Sequence, residues 1–203
     1  MTLALVDYGA GNLRSVANAL AAVDAEDVLV TNRAEDVARA DRIVLPGVGA
    51  FAHAMAALRA LPGMIEALED AVHRRAVPFL GVCVGMQLLA DEGDEHGVTA
   101  GLGWVPGRVA AIAPRRGLKV PHMGWNDVQP TRAHPLTPAG EAYFLHGYAF
   151  EAKHTADVTA TTDHGGPTVA AVARGNIAGV QFHPEKSQRY GLALLGRFVA
   201  WRP

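Results

Sequence analysis

One side chain is equipped for nucleophilic chemistry by its type and its place. Cys83 is the only cysteine among 203 residues. It stands in Gly81-Val82-Cys83-Val84-Gly85, where the apolar run "VPFLGV" (77–82) gives way to the helical spacing of "GMQLLADE" (85–92). The pattern matches a nucleophile elbow, G-x-S-x-G, with Cys in place of Ser. A sharp strand-to-helix turn strains the central residue, and the flanking glycines remove Cβ atoms that would collide. The side chain then stands at the carboxyl edge of a sheet, where α/β folds place their sites. The N–H of Val84 can face an oxyanion. Taken alone, the pentapeptide fits a buried cysteine beside helix-packing glycines at least as well.

A thiol nucleophile needs a base. Six of the nine histidines, His53, His73, His96, His134, His154 and His164, stand in polar or loop contexts and read as surface residues. His122 and His146 lie in strand-like runs, where a core histidine satisfied by its neighbours is the ordinary reading. His183 differs, because it closes the apolar strand "IAGVQF" and precedes Pro184 and Glu185. In extended chain, residues two apart point the same way, and Pro184 stiffens the spacing. A carboxylate so placed fixes the imidazole tautomer and stabilises the imidazolium. "HPE" by itself also fits a plain strand-ending turn. Elbow and His-x-Glu together favour a Cys-His-Glu triad. No Cys/His pairs have zinc-ligand spacing, so neither a metal nor a cofactor is expected.

These groups need elements to hold them. Apolar runs at 3–6, 27–30, 42–45 and 77–82 read as strands. Helical spacing follows at 13–23, 52–61, 64–74 and 85–92. The alternation predicts an α/β domain with a mainly parallel central sheet and helices on both faces, and wholly apolar strands suit such a sheet. From residue 107 the strand-like runs "GRVAAI", "LKVPHMGWNDVQ", "AYFLHGYAF", "DVTATT", "TVAAVAR" and "IAGVQFHP" follow with few helices between, which predicts antiparallel additions. A last helix is expected over 188–201. No repeat or linker divides the chain, so a single three-layer domain over residues 1–203 is expected.

Composition narrows the function classes. The formal net charge is −2 with no basic run, so nothing supports nucleic-acid or anionic-membrane binding. One cysteine makes no intrachain disulfide. The N-terminus lacks the basic segment of a signal peptide, and no apolar run reaches the ~18 residues that span a bilayer. A cytoplasmic enzyme is the expectation.

"GVCVGMQLL" with "GVQFHPEKS" one hundred residues later resembles the class I (triad-type) glutamine amidotransferases. "DYGAGN", "LPGVGAF", "KVPHMGWN" and "YFLHGYAF" extend the resemblance over nearly the whole chain. It implies a flavodoxin-like three-layer fold and hydrolysis of glutamine to glutamate and ammonia. Cys83 would form the thioester, His183 would move the protons and Glu185 would orient His183. The resemblance further implies an oxyanion hole from Val84 with Val48 and Gly49, and substrate contacts from Gln87, Glu95, Gly147 and Tyr148. Within the family, "DYGAGN" and "PHMGWN" point to a member that feeds ammonia to a (β/α)8-barrel cyclase in a heterodimer for histidine biosynthesis. Asn12, Pro121, Met123, Trp125, Tyr143 and Lys186 match positions facing that partner. Without the resemblance, Trp125 reads as a core aromatic of a strand. Two positions depart from the family pattern: Gly147 where Ser is usual, and Val84 where Leu is commoner. A subunit feeding a different synthase, a non-catalytic regulatory subunit on the same fold, and a cysteine peptidase or isomerase are the competing readings.

Overall fold

Three of the short apolar runs are inner strands of a nine-stranded sheet, and the run at 27–30 becomes its edge strand with Leu29 and Val30 exposed, in a computed structural model, which describes residues 1–23, 25, 27–115 and 117–203. In chain order come β1 (Leu3–Val6), α1 (Leu13–Ala21), β2 (Val28–Thr31), α2 (Ala34–Val37), β3 (Arg42–Leu45), α3 (Phe51–Ala60) and α4 (Met64–Glu69). The last runs into a π-helical turn at Asp70–Arg74. Then follow β4 (Phe79–Val82), α5 (Val84–Gln87), β5 (Glu92–Asp94), β6 (Val98–Ala100), β7 (Gly107–Ala111) and β8 (His122–Pro130). The chain ends with β9 (Gly140–His146), β10 (Tyr148–Ala152), β11 (Val158–Asp163), β12 (Pro167–Arg174), β13 (Ile177–Val180) and α6 (Gln188–Ala200).

The large sheet has the order β2-β1-β3-β4-β13-β12-β11-β8-β9. The first five strands are parallel, and the rest pair antiparallel. β1, β3, β4 and β13 are buried at every residue, as strands covered on both faces must be. From β1 the chain steps out to β2 and returns to the other side of β1 at β3. Right-handed crossovers therefore put α1 on one face and α2 to α4 on the other. The packing agrees: α1 meets α6, while α2 and α3 meet α4. Among the described residues no helix is long and apolar enough to cross a membrane.

Two expectations need correction. The helix over 85–92 is a single turn, α5. The carbonyls of Leu88, Leu89 and Ala90 are taken by the N–H groups of Leu102, Trp104 and Gly103 at 2.8–2.9 Å, which ends the helix. The run "AYFLHGYAF" is also not one strand. It breaks at Gly147, so β9 stays in the large sheet while β10 joins a second sheet of order β10-β7-β5-β6.

Candidate active site

The carboxyl ends of β3, β4 and β13 converge on Cys83. Its backbone has φ 55° and ψ −112°, a strained conformation for a residue with a side chain. The surroundings hold it there. Its N–H donates to the Val180 carbonyl at 2.8 Å, and its carbonyl accepts Met86 and Gln87 N–H at 3.0 and 3.1 Å. A Cβ at Gly85 would strike the Leu45 carbonyl, and one at Gly81 the Gly85 carbonyl. A Cβ at Gly47 would meet the Tyr8 hydroxyl at 2.6 Å and the Gly85 nitrogen at 2.7 Å. Only glycines let these segments approach so closely. Tyr8 braces the same corner by donating to the Pro46 carbonyl at 2.7 Å. Burial, and then the charge of Cys83, push its hydroxyl pKa up.

His183 follows β13 on the far side of Cys83. Its Nδ1 lies 2.9 Å from Glu185 Oε1, with both side chains buried. A carboxylate only accepts, so Nδ1 carries the proton and Nε2 is left for the thiol. Burial pulls the His183 imidazole down. Hydrogen bonds and charge from Cys83 and Glu185 on either side outweigh it and raise its pKa to about 9. The Ser187 hydroxyl donates to the His183 carbonyl at 2.6 Å and accepts Tyr143 N–H at 2.9 Å, which fixes the turn. Glu185 Oε2 has no partner among the described residues.

A pocket of about 290 Å³ opens over the thiol. Cys83, His183 and all seven residues expected at the substrate line it: Val48, Gly49, Val84, Gln87, Glu95, Gly147 and Tyr148. Gln87 Nε2 donates to the Tyr148 carbonyl and to Gln181 Oε1, both at 3.0 Å, leaving Oε1 to accept from a ligand. Glu95 has a second task. Its Oε2 accepts Phe51 N–H at 2.7 Å and caps α3, where Ala50 offers no side-chain cap. At Gly147 an added Cβ would have only Pro121 Cβ nearby, at 4.0 Å, so the departure from serine leaves the pocket's shape unforced. The tip of the Val48–Gly49 turn is open, with Val48 exposed and Gly49 at φ 90° with nothing around a built Cβ.

Of the residues expected to face a partner, Pro121 and Lys186 also line the pocket. Trp125 is not a core aromatic. It is 47% exposed and Met123 63%, because the face of β8 that carries them is uncovered. Trp125 meets Tyr143 edge to face at 6.2 Å, and Lys186 Nζ lies 5.7 Å from the Tyr143 ring centre. Asn12 is exposed, and its Oδ1 accepts Ser15 N–H at 3.3 Å to cap α1.

The sequence reading missed two pocket residues, Leu145 and His146, and one buried neighbour of the thiol, Gln181, whose Nε2 lies 3.7 Å from Cys83 Sγ. His146 is buried and bonded, as expected of a strand histidine, yet its edge also lines the pocket. Its Nδ1 lies 2.9 Å from the Tyr148 carbonyl, so that nitrogen carries the proton. Its Nε2 then accepts from His122 Nδ1 at 3.0 Å, and His122 Nε2 accepts from Asn126 Nδ2 at 3.1 Å. Burial, then neighbouring histidines, lower His122 to about 3. Burial lowers His146 to about 4, opposed by its bond to Tyr148 and aided by His164 and His183. His164, expected at the surface, is half-buried and stacks on His122 at 4.0 Å. His134 is likewise half-buried. Among the described residues no three His, Cys, Asp or Glu side chains are grouped to hold a metal.

Comparison with known proteins points one way. The family model of class I glutamine amidotransferases matches residues 4–200. The chain is 59% identical to the imidazole glycerol phosphate synthase subunit HisH of Zymomonas mobilis subsp. mobilis, covering 100% of this chain and 97% of that one. It is 53% identical to the subunit of the same name from Caulobacter vibrioides, covering 100% and 99%. Among solved structures, a glutamine amidotransferase superposes with a TM-score of 0.72 at 20% identity, covering 95% and 98% of the two chains. The glutaminase domain of Trypanosoma brucei CTPS gives 0.65 at 18%, covering 100% and 95%. At that distance these two bear on the fold alone.

Proposed function

We propose that this chain, which belongs to the class I glutamine amidotransferase family, works in histidine biosynthesis as the glutaminase subunit of an imidazole glycerol phosphate synthase, through a Cys83-His183-Glu185 triad. A subunit implies a partner. We take that partner to be a (β/α)8-barrel cyclase joined in a cytoplasmic heterodimer, and residues 1–203 to form one amidotransferase domain.

Cys83 Sγ attacks the glutamine amide carbon with its proton held on His183. The N–H of Val84 and the Val48–Gly49 turn hold the oxyanion. His183 then protonates the departing ammonia, leaving a thioester. Water, deprotonated by His183, attacks the acyl carbon, the C–S bond breaks and glutamate leaves. Glu185 keeps the proton on Nδ1 of His183 throughout and stabilises the imidazolium. Gln87 Oε1 and the remaining Glu95 oxygen suit the substrate ammonium, and the Gly147–Tyr148 backbone suits its amino-acid end. The ammonia passes to the cyclase, which makes imidazole glycerol phosphate and AICAR. Val48 at the pocket, and Met123 and Trp125 on the uncovered face of β8, are exposed apolar groups suited to that docking.

The observation that carries this reading is the buried thiol on a strained elbow with the His183–Glu185 pair beside it. The test is glutamate release by the subunit alone, with the cyclase, and with cyclase plus its nucleotide ligand. Slow release alone and fast release in the complex are expected, because an open oxyanion turn needs only a small closure to align its donors. Glutamate release absent in all three arms contradicts the reading.

A further inference from the structure

We infer that Gln181 is a catalytic residue whose side-chain N–H donates to Cys83 Sγ and stabilises the sulfur as thiolate, both when it attacks and when it departs. The inference rests on Cys83 being the nucleophile.

The placement follows from the sheet. Val180 pairs with Val82 in parallel register, so the next residue of each strand, Gln181 and Cys83, lie side by side. Gln181 is fully buried, and its backbone N–H is held by the Ala170 carbonyl at 2.8 Å. The orientation of its carboxamide is set by neighbours. The Tyr148 carbonyl only accepts, so Gln87 presents Nε2 to it. That same Nε2 lies 3.0 Å from Gln181. Gln181 must therefore offer Oε1 to Gln87, which turns its own Nε2 toward Cys83 Sγ at 3.7 Å.

The sulfur has mixed company. The Leu145 carbonyl at 3.9 Å suits the thiol, as an acceptor for S–H, and opposes the thiolate. The His183 ring and Gln181 suit the thiolate. The two donors differ in kind, because His183 must give its proton away and a carboxamide never does. During thioester hydrolysis a water O–H proton goes to His183, the water oxygen bonds the acyl carbon, and the C–S electron pair returns to sulfur. Gln181 donates to the sulfur throughout that step. Hydrogen bonds to charged groups are the strong class, and in a buried site they are not diluted by water.

Cys83 is the only cysteine, so alkylation by iodoacetamide reports on it alone. The experiment follows alkylation rate against pH for the full chain, for Gln181→Met, which removes the donor at similar volume, and for Gln181→Glu, which keeps an acceptor for Gln87. The expected result is a midpoint raised by about one pH unit in Gln181→Met and further in Gln181→Glu. Turnover should fall about tenfold in kcat, with a smaller change in KM for glutamine. A midpoint unmoved in either variant, in protein that melts cooperatively like the parent, overturns the inference. Cys83→Ala that still hydrolyses glutamine refutes the nucleophile itself, whatever the profiles. An inactive Cys83→Ala with unmoved profiles refutes only the role of Gln181.

Discussion

His183 and His146 both line the pocket, each from a different half of the large sheet. His183 follows β13 in the parallel half, with Glu185 at one ring nitrogen and Cys83 at the other. His146 ends β9 in the antiparallel half, with a carbonyl at one nitrogen and a neutral imidazole at the other. Burial works against charge on both rings, but only His183 has anionic company. It rises to about 9 while His146 falls to about 4. The same residue type is thus set up to hold a proton in one half and to stay a neutral brace in the other, decided by what each nitrogen meets. The halves differ in backbone as well. The parallel half presents the elbow through glycine contacts that leave no slack, whereas the antiparallel half ends in an uncovered face of β8.

The largest effect that separates the halves is on turnover. His183→Ala should slow glutamine hydrolysis by about 1000-fold or more, and Glu185→Gln by less, about 100-fold. His146→Asn keeps a donor for the Tyr148 carbonyl and should lose no more than about tenfold. Steady-state glutaminase assays on the complex decide this, and equal losses at His183 and His146 would erase the distinction. A smaller effect is expected on the uncovered face. Trp125→Ala should weaken cyclase binding by about 30-fold, the scale of an exposed aromatic anchor. Turnover by the lone subunit should be unchanged. Titration calorimetry reads the first and the glutaminase assay the second.

The smallest effect is on stability against pH, and its sign is opposite for the two halves. His183 has a native pKa of about 9, above the ordinary 6.5. Its contribution is therefore complete below pH 6.5 and is lost as pH rises to about 9. His146 and His122 lie at about 4 and about 3, below 6.5, so their contribution is complete above pH 6.5 and is lost as pH falls through those values. Thermal melts across pH should show His183→Ala flattening only the alkaline limb. His122→Phe should flatten only the acid limb. A variant that flattens the other limb would reverse the assignment of cation and neutral brace.

The parallel half was legible because its signals are local. Buried strands are short apolar runs, glycines two either side of Cys83 mark an elbow, and Glu185 stands two residues after His183, although a 3-10 turn at Pro184–Lys186, not the expected extended chain, brings it to the ring. Gln181 continues that same spacing backward, and the signal was available in "GVQFHPE". Its meaning depends on the register of β13 against β4, which pairs residues nearly one hundred positions apart. The antiparallel half was harder for the same reason. Whether Trp125 points inward depends on which face of β8 is covered, and periodicity within β8 is silent on that. The helix over 85–92 stopped early because its carbonyls are taken by residues 102–104, a competition that Leu88 and Leu89 do not announce. His146 was legible as a buried, bonded histidine and illegible as a pocket wall, since one ring does both.

The most direct test of the triad is where an electrophilic glutamine analogue attaches, and whether attachment is required for the chemistry. Incubated with the complex, the analogue should add its mass to the single peptide containing Cys83. Cys83→Ala should take up none and release no glutamate, while the cyclase in the same complex still turns over with added ammonium salts. Label on any other residue, or glutamate release by Cys83→Ala, would contradict the account.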